Sequence, residues 1–264
     1  MSDTAPAAKQ FAELGLPAPL LEALNSLGYE TPSPIQAEAI PTLLSGDDLL
    51  GLAQTGTGKT AAFALPVLAG IDVSLRATQA LILTPTRELA LQVAEAFQRY
   101  AQNMRGFSVL ALYGGSPFAP QFKALERGAH VVVATPGRLT DHLRRRSLKL
   151  QDLRFLVLDE ADEMLKMGFA DDLEAVFEEV PEKTQKALFS ATMPPAVRTV
   201  ARKHMKDPKE IRLHSGSSSS LDTITQKVWE VSNHHKLDAM TRLLEVEPVE
   251  AMIVFVRTKT ASLE

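Results

Sequence analysis

Four residues in the first quarter of the chain have the types and the spacing of a phosphate-binding loop. Gly56, Gly58, Lys59 and Thr60 come shortly after the apolar run 49–52. Glycines let the backbone turn tightly, so that successive N–H groups can point at phosphate oxygens without a Cβ in the way. The lysine would place a positive charge near the outer phosphates of a triphosphate, and the threonine hydroxyl would bind Mg²⁺. The pattern indicates a nucleotide site, although a glycine-containing turn with a solvated lysine has the same residues.

The elements expected around this loop are those that would aim it at a ligand. The run 49–52 predicts a strand, and the apolar residues 61–68 predict a helix that starts directly after the loop. This is the strand, loop and helix order of a P-loop, which turns the positive end of a helix toward phosphate. The strict pattern begins with glycine where this chain has Ala53, so a second motif is needed to support the assignment.

An acidic cluster at the end of another apolar run supplies that second motif. Asp159, Glu160 and Asp162 follow the residues FLVL at 155–158. Carboxylates that leave a buried strand are costly unless they meet a cation or take part in chemistry. Beside a P-loop, Asp159 would be the outer ligand of Mg²⁺, and Glu160 would orient or deprotonate an attacking water. The alternative is an acidic first turn of a helix, which the helix dipole favours.

Short apolar runs alternate with amphipathic helical patterns along the chain. The runs predicted to be strands are 80–84, 108–113, 130–135, 155–160 and 187–192. Nearly continuous apolar strands separated by helices predict an α/β fold, a doubly wound parallel sheet with helices on both faces. Ligands of such sheets bind at the carboxyl ends of the strands, where each polar cluster of this chain falls.

The composition narrows the class of protein. The chain has 264 residues, a net charge of −4 and no cysteine, so disulfides and cysteine-ligated metals are excluded. The overall charge does not predict nucleic-acid binding, which would need local basic patches. Residues 1–10 lack the pattern of a secretory signal, and no apolar run approaches the length of a membrane span. We therefore expect a soluble cytoplasmic protein with no membrane partner and with a disordered leader at 1–10.

Several motifs occur in the order of a known family. They are GYETPSPIQ at 28–36, AQTGTGKT at 53–60, PTRELALQ at 85–92, TPGR at 135–138, LDEAD at 158–162 and SAT at 190–192. Together they resemble the DEAD-box ATP-dependent RNA helicases, whose first domain has a RecA-like P-loop fold. Ala53 is the family's usual residue at the first loop position, so this departure from the strict pattern supports the resemblance.

The resemblance implies ATP and Mg²⁺ as cofactors and assigns roles around the loop. The residues that it implies for nucleotide binding are Phe11, Gln36, Ala53, Gln54, Thr55, Gly56, Thr57, Gly58, Lys59, Thr60, Asp159, Ser190 and Thr192. Catalysis would fall to Lys59, Asp159 and Glu160, and the metal ligands would be Thr60 and Asp159.

Three of these assignments have plainer alternatives. Gln36 would read the adenine edge, since a side-chain amide offers a matching donor and acceptor, and Phe11 would stack on the base. Without the resemblance, Gln36 has the character of a surface residue. Ser190 and Thr192 would hydrogen-bond toward the acidic motif and couple ATP hydrolysis to strand separation. Otherwise they are hydroxyls at the end of a strand that satisfy local backbone groups.

The same family places RNA contacts after three other strands. The residues implied are Pro85, Thr86, Arg87, Gly114, Gly115, Thr135, Pro136, Gly137 and Arg138. Arginine charge, threonine hydroxyls and glycine N–H groups suit a phosphate backbone, so single-stranded RNA or a short duplex would be bound independently of its sequence. For the glycines at 114 and 115 a simple turn is the alternative. The run Arg144, Arg145 and Arg146 would extend the RNA path or be a solvated helix end.

The character of the sequence changes near its C-terminus. Composition and resemblance together give an ATP-binding domain at 11–213, a polar linker at 214–222 and the incomplete start of a second RecA-like domain at 223–264. In that last part we expect a helix at 236–247 and a strand at 251–256. The family's second domain carries arginines that stabilise the transferring phosphate, and such a residue contributes roughly 10³–10⁵ in rate. That motif is not in the sequence.

The resemblance therefore predicts an RNA helicase that couples ATP binding and hydrolysis to RNA binding and local unwinding. We expect this chain to bind nucleotide but to have little activity alone. The alternative is a non-hydrolysing, nucleotide-regulated module that binds RNA or protein. Ribosome biogenesis and RNA turnover under cold stress, with ribosome-assembly or RNA-degradation proteins as partners, are further implications of the resemblance.

Overall fold

The computed structural model of the protein describes residues 10–213, 225, 227–247, 251–256 and 258. Contacts divide the chain into two compact units, Met1–His214 and Ser215–Glu264, which are described separately. The predicted linker at 214–222 lies outside the described residues, and so does all of the predicted leader except Gln10.

The first unit is built on a sheet of seven parallel strands. The strands are β1 (Leu49–Leu52), β2 (Ala80–Leu83), β3 (Val109–Leu112), β4 (Val131–Ala134), β5 (Phe155–Leu158), β6 (Gln185–Ser190) and β7 (Lys209–Arg212). Their order across the sheet is β3-β4-β2-β5-β6-β1-β7. Parallel pairing with a helix between most successive strands confirms the predicted doubly wound α/β fold.

Helices cover both faces of the sheet. They are α1 (Ala18–Ser26), α2 (Pro34–Leu44), α3 (Lys59–Ala69), α4 (Arg87–Tyr100), α5 (Phe118–Glu126), α6 (Pro136–Arg144), α7 (Ala161–Lys166), α8 (Ala170–Glu179) and α9 (Pro195–His204), preceded by a 3-10 helix at Phe11–Leu14. Neighbouring residues of a strand face opposite sides of the sheet. In β2, Ile82 therefore belongs to one hydrophobic core, together with Phe63 of α3, and Leu81 belongs to the other core, together with Leu139 of α6. Burial on both faces explains the nearly continuous apolar runs in the sequence.

The edge strand β7 is absent from the prediction. Its sequence, KEIR, is mostly polar, and only Ile211 is buried. The strand forms because it lies beside β1, with Lys209 opposite Leu49 and Arg212 opposite Leu52. An edge strand that is half exposed does not need the continuous apolar run that identifies the central strands.

The carboxyl ends of six strands bring the predicted motifs to one edge of the sheet. In spatial order they lead into residues 113–117 after β3, 135–138 after β4, 84–87 after β2, 159–162 after β5, 191–192 after β6 and 53–60 after β1. The three segments predicted to contact RNA are therefore neighbours. The three segments predicted to bind nucleotide are neighbours beside them, as expected for a parallel α/β sheet.

The second unit contains one helix of regular length, α10 (Lys236–Val246), after a short 3-10 helix at Asn233–His235 in the part that the structure describes. This agrees with the helix predicted at 236–247. The strand predicted at 251–256 is wrong, because these residues are exposed and have no regular secondary structure. A strand is stabilised by hydrogen bonds to a neighbouring strand, and no described residue of this unit belongs to one. In neither unit does a described helix combine the length and apolarity that crossing a bilayer requires.

Candidate functional site

A cavity of about 550 Å³ is formed around the glycine-rich loop. Its wall consists of residues from four separate segments of the chain. They are Tyr29 and Gln36; Thr55, Gly56, Gly58, Lys59, Thr60 and Ala61; Leu89, Gln92, Val93, Glu95, Ala96, Arg99 and Tyr100 of α4; and Asp159 and Glu160. The loop, the acidic pair and the glutamine that were predicted to bind nucleotide thus share one cavity.

Two glycines and a side-chain hydrogen bond shape the loop. Gly56 and Gly58 have φ angles of 81° and 91°, in the left-handed region that side chains disfavour. The Ser33 hydroxyl donates to the carbonyl oxygen of Thr57 at 2.8 Å. Helix α3 begins at Lys59, and the first N–H groups of a helix have no partner within it. Because the first residues of α3 line the cavity, this end of the cavity suits an anion.

Gln36 joins the loop to helix α2. Its Oε1 accepts the backbone N–H of Ser33 at 2.8 Å, and its Nε2 donates to the carbonyl oxygen of Gly58 at 3.1 Å. A Cβ at position 58 would lie 2.4 Å from Gln36 Nε2, so a larger residue there would displace this amide in addition to straining the backbone. Gln36 is buried in the cavity wall, which excludes the alternative of a plain surface residue.

Lys59 and Asp159 are buried, and each has a side-chain atom without a partner. Lys59 Nζ and Asp159 Oδ1 form no hydrogen bond with any residue that the structure describes. Burial raises the pKa of Asp159 to about 6, against the opposing effect of the Lys59 charge. Buried charged groups without partners are costly in a folded protein. A ligand that carries both phosphate and a cation would satisfy both atoms, so these residues fit a nucleotide with Mg²⁺.

A metal ion in this cavity would depend on ligands from outside the protein. Within the described ranges, no cluster of three or more His, Cys, Asp or Glu residues could hold a metal. Mg²⁺ takes six oxygen ligands and usually keeps several waters or substrate phosphate oxygens among them. Thr60 and Asp159, which both line the cavity, would be the two oxygen ligands that the chain contributes.

Glu160 has an unusual backbone conformation. Its φ of 56° and ψ of 49° are in the left-handed region, although it is not glycine. Such a conformation costs about 1 kcal/mol or more for a residue with a Cβ, and strained residues of this kind recur at functional sites. It lies at the junction of β5 and α7, and it keeps both Asp159 and Glu160 in the cavity wall.

The third carboxylate of the motif contacts the end of β6. Asp162 Oδ2 accepts hydrogen bonds from Thr192 Oγ1 at 2.6 Å and from the Thr192 backbone N–H at 3.1 Å. Ser190 Oγ donates to the carbonyl oxygen of Thr192 at 2.7 Å. Burial would raise the pKa of Asp162, but hydrogen bonding, chiefly from Thr192, outweighs burial and lowers it. The acidic motif and the SAT segment are therefore in direct contact, beside the cavity and not in its wall.

Some residues implied for the nucleotide site do not line the cavity. They are Phe11, Ala53, Gln54, Thr57, Ser190 and Thr192. Phe11 is buried and packs edge-on against Tyr29, with the ring centroids 6.1 Å apart. Tyr29 is not among the predicted residues, yet it lines the cavity, and its hydroxyl lies 3.0 Å from that of Tyr100. Its place in the GYETPSPIQ motif is the signal that could have identified it.

The wall formed by α4 is also absent from the prediction. Leu89, Gln92, Glu95 and Arg99 follow one another at intervals of three or four residues, so they share a face of the helix. Packing of α4 against α3 turns this face toward the loop. Nothing in the local sequence of α4 shows which helix it will pack against.

The carboxyl edge is the edge of the sheet at which the carboxyl ends of the strands lie. Beside the cavity, this edge consists of the turns and helix starts that follow β2, β3 and β4. Thr86 is the N-cap of α4, and its Oγ1 accepts a backbone N–H of that helix at 3.2 Å. The Arg87 guanidinium lies 4.7 Å from the ring centroid of Tyr113, which connects the segment after β2 with the segment after β3. A Cβ added at Gly114 or Gly115 would meet nothing within 4 Å, so a ligand backbone has room to approach. Gly115 also has a φ of 77°, as the turn alternative requires.

The TPGR segment starts α6. Thr135 is the N-cap and Pro136 the first residue, a position where the missing N–H of proline costs nothing. A Cβ added at Gly137 would meet nothing within 4 Å. This helix start lies beside the segment of Pro85, because β4 and β2 are neighbours in the sheet.

Arg138 is buried and held by its surroundings. Its Nη1 donates to the carbonyl oxygen of Ser116 at 3.0 Å and to Gln121 Oε1 at 3.1 Å. Its guanidinium lies 4.1 Å from the ring centroid of Phe118, and that of Arg145 lies 4.6 Å from the same centroid. Arg145 directly follows α6, so the basic run is at a helix C-terminus, where positive charge is favourable.

Comparisons with known proteins agree with this arrangement. A family model described as DEAD/DEAH box helicase matches residues 33–200. The chain is 57% identical over 254 residues to the ATP-dependent RNA helicase DeaD of Escherichia coli (strain K12), an alignment that covers 96% of this chain and 40% of that protein. It is 55% identical over 260 residues to the ATP-dependent RNA helicase DeaD of Mycobacterium tuberculosis (strain ATCC 25618 / H37Rv), with 98% of this chain and 46% of that protein covered.

A solved structure is similar as well. The crystal structure of a DEAD box protein from the hyperthermophile Methanococcus jannaschii matches with a TM-score of 0.75 and 38% identity, over 89% of this chain and 63% of that one. The chain spans less than half the length of the two curated relatives. The family model nevertheless matches well over half of the chain, and the resemblance predicted from the motifs is confirmed. The chain belongs to the DEAD/DEAH box helicase family.

Proposed function

We propose that this chain is the ATP-binding domain of a DEAD-box ATP-dependent RNA helicase, followed by the start of a second domain. The observation that carries the proposal is a cavity with two buried charged residues, Lys59 and Asp159, whose Nζ and Oδ1 have no partner among the described residues. We place the ATP-binding domain at 11–213, the linker at 214–222 and the beginning of the second domain at 223–264. The names of the similar helicases support the same function.

Binding of ATP would use the loop and the residues beside it. The first N–H groups of α3 and Lys59 Nζ offer positive charge to the phosphates. Tyr29 offers a ring to the base, and Gln36, which contacts the loop at Gly58, offers an amide. Each polar atom of the Gln36 side chain makes one hydrogen bond within the described protein, which leaves one donor and one acceptor for the adenine edge.

Glu160 is the residue that we assign to the attacking water. Glu160 lines the cavity next to Asp159, in the same cavity as Lys59. By accepting a proton from water, Glu160 would make the water oxygen a stronger nucleophile. That oxygen would form the new bond to the terminal phosphorus while the bond from phosphorus to the ADP oxygen breaks. Mg²⁺ bound to Thr60 and Asp159 would supply neutralisation of the charge on the transferring phosphate.

RNA would bind along the neighbouring half of the carboxyl edge. Arg87 and Arg138 offer charge there, and the open backbone at Gly114 and Gly115 offers N–H groups. These groups suit phosphate and ribose and do not distinguish bases, so we propose binding that is independent of sequence. Contact between Asp162 and Thr192 supports the proposal that the SAT segment couples the nucleotide site to the rest of the domain.

Unwinding is proposed for the whole protein and not for this chain by itself. The relatives named as helicases are more than twice as long as the part that matches this chain. We propose that the chain alone binds ATP and hydrolyses it slowly. A non-hydrolysing module that binds RNA or protein is the competing function. A cytoplasmic setting and partners from ribosome assembly or RNA degradation are proposed from the family resemblance only.

The test is ATP hydrolysis with and without single-stranded RNA, on the chain and on its Glu160→Gln variant. Glutamine keeps the size of the side chain and removes the base, so both proteins should bind ATP with Mg²⁺ equally. The variant should lose the slow hydrolysis by a factor of about 10² or more. Absence of hydrolysis in both proteins, with ATP still bound, would favour the non-hydrolysing module, and equal measurable rates would overturn the role assigned to Glu160. Strong RNA-stimulated turnover of the parent chain would overturn the proposal of slow activity, and failure to bind ATP would overturn the nucleotide site.

A further inference from the structure

Gln121 of α5 lies at the centre of a buried polar network between two segments of the carboxyl edge. Its Nε2 donates to the carbonyl oxygen of Tyr113 at 3.3 Å and to Ser116 Oγ at 2.6 Å. Its Oε1 accepts hydrogen bonds from Arg138 Nη1 at 3.1 Å and from His142 Nε2 at 2.9 Å. All four hydrogen-bonding positions of this amide are therefore used.

The neighbours determine which way the amide faces. Arg138 can only donate, so the amide oxygen must face it, and the carbonyl of Tyr113 can only accept, so the amide nitrogen must face that group. His142 is fully buried, and its Nδ1 lies 2.8 Å from Ser147 Oγ. Burial, followed by the charge of Arg138, lowers the pKa of His142 and favours the neutral ring. The ring proton is then on Nε2, where it points at Gln121.

The network holds the Arg138 guanidinium on one side. Nη1 is shared between the carbonyl oxygen of Ser116 at 3.0 Å and Gln121 Oε1, and the ring of Phe118 lies against the guanidinium plane. Nε and Nη2 of Arg138 form no hydrogen bond with a residue in the described ranges. These N–H groups are the ones that remain for a phosphate oxygen.

The same glutamine supports the turn after β3. Ser116 Oγ accepts a hydrogen bond from Gln121 Nε2. The same hydroxyl donates to the carbonyl oxygen of Tyr113 at 3.3 Å. Residues 114 and 115 lie between these two partners, and Gly115 has a φ of 77°. A single buried side chain thus connects the Gly114–Gly115 turn with helix α6.

We propose that Gln121 is a positioning residue for RNA binding. It contacts no RNA itself, and it holds Arg138 and the Gly114–Gly115 turn in the arrangement that meets two phosphates of one strand. The inference rests on the proposed RNA site. It adds a residue outside the motifs from which that site was assigned, and it states that Arg138 binds only when the amide of Gln121 holds it.

The experiment is a double-mutant cycle on affinity for a single-stranded RNA, measured by fluorescence anisotropy at several salt concentrations. The proteins are the parent chain, Gln121→Leu, Arg138→Ala and the double variant. We expect Gln121→Leu to weaken RNA binding about tenfold, the loss of one hydrogen-bonded charged contact. The slope of log affinity against log salt should fall by about 0.7, the value for one phosphate contact on a single strand. In the Arg138→Ala background, Gln121→Leu should add less than a twofold change, because contacting residues that act together are not additive.

Gln185→Leu is the matched control. Gln185 also uses its side-chain Nε2 on two backbone carbonyls, those of Leu43 at 3.0 Å and Asp47 at 2.6 Å, but it lies at the start of β6, at the opposite edge of the sheet. Its loss should affect stability while RNA affinity and the salt slope stay unchanged. Affinity for ATP with Mg²⁺ should be the same in all variants, which shows that the domain remains folded.

Gln121→Glu provides the same test if Gln121→Leu does not fold. A carboxylate keeps the acceptor for Arg138 but removes the donor to Tyr113, so it releases the Gly114–Gly115 turn while Arg138 stays held. RNA affinity should therefore fall even though the arginine keeps its partner. The inference is overturned if Gln121 variants bind RNA like the parent while Arg138→Ala binds weakly, or if the effect of Gln121→Leu persists in full in the Arg138→Ala background. If the parent does not bind RNA, or Arg138→Ala binds as the parent does, the proposed RNA site itself is overturned.

Discussion

Thr192 donates two hydrogen bonds to the same oxygen of Asp162, one from its hydroxyl at 2.6 Å and one from its backbone N–H at 3.1 Å. The contact connects the end of β6 with the first turn of α7. Asp159, at the start of the same acidic motif, lines the cavity instead. The motif is therefore held at one end by protein and offers its other end to a ligand.

Replacing Thr192 by Val should destabilise the domain. Valine keeps the shape of the side chain but removes the hydroxyl donor to a buried carboxylate, a loss of about 1.5–3 kcal/mol in the free energy of unfolding. Thr192→Ser keeps a hydroxyl and is the matched control, with a smaller expected loss. Urea unfolding at neutral pH measures both variants against the parent chain.

The penalty of Thr192→Val should also depend on pH. Hydrogen bonds lower the pKa of Asp162 below its ordinary value of 3.8. Their stabilisation is therefore present above that value, and it is lost as the pH falls through the lowered pKa of the folded state. A penalty that is unchanged in acid would show that the Thr192 hydroxyl does not act through the Asp162 charge.

Replacing Asp159 by Asn should stabilise the chain at neutral pH when metal and nucleotide are absent. Burial raises the pKa of Asp159 from 3.8 in the unfolded chain to about 6. Between these values the folded protein binds more protons than the unfolded one, so stability falls as the pH rises. This difference in pKa between the folded and the unfolded chain lowers the free energy of unfolding by about 3 kcal/mol once Asp159 is ionised in both states. Asparagine does not ionise, so its gain over the parent should grow as the pH rises from about 4 to about 6 and should stay near that full amount at higher pH.

Urea unfolding in the presence of a chelator checks this expectation. Asp171→Asn, at an exposed position in the first turn of α8, is the control and should show no comparable gain. If Asp159→Asn is less stable than the parent at neutral pH, then the attraction of the Lys59 charge outweighs the cost of burying the carboxylate. ATP affinity should fall in Asp159→Asn under all conditions with Mg²⁺.

The glycines of the loop should differ in their response to alanine. Gly56 and Gly58 both have positive φ angles, so each substitution should cost about 1–2 kcal/mol for strain. Only at Gly58 does the added Cβ also meet other groups, Gln36 Nε2 at 2.4 Å and Ser33 Oγ at 3.0 Å. Gly58→Ala should therefore be the more destabilising change. In a Gln36→Ala background this difference should shrink, because the nearest atom that the new Cβ meets has gone while Ser33 Oγ remains. Thermal unfolding of the single and double variants measures the cost of each glycine substitution. If Gly58→Ala costs the same with and without the Gln36 side chain, the contact between the new Cβ and Gln36 does not contribute.

Most of the sheet could be predicted because its central strands are buried on both faces. Strands β2 and β5 lie within the runs predicted at 80–84 and 155–160. Strand β7 could not be predicted, since an edge strand needs few apolar residues and forms by pairing with β1. The error at 251–256 has the same cause, because an apolar run forms a strand only where a partner strand is available.

The chemistry of the loop and the acidic motif was also predictable, since Lys59, Thr60, Asp159 and Glu160 occur in local patterns with one dominant use. The cavity was predictable only in part. Tyr29 lines it while Phe11 packs behind, and one face of α4 closes it. These positions depend on which helices pack together, and local sequence does not contain that information.

The sequence by itself determined the family, the parallel sheet and the residue types at its carboxyl edge. Only the tertiary structure decided that Lys59 Nζ and Asp159 Oδ1 are buried with no hydrogen-bond partner among the described residues, that Gln36 supports the loop at Gly58, and that Gln121 holds Arg138. Short-range patterns set the backbone conformation and the polarity of each segment, whereas burial and hydrogen-bond partners arise between residues that only packing brings together.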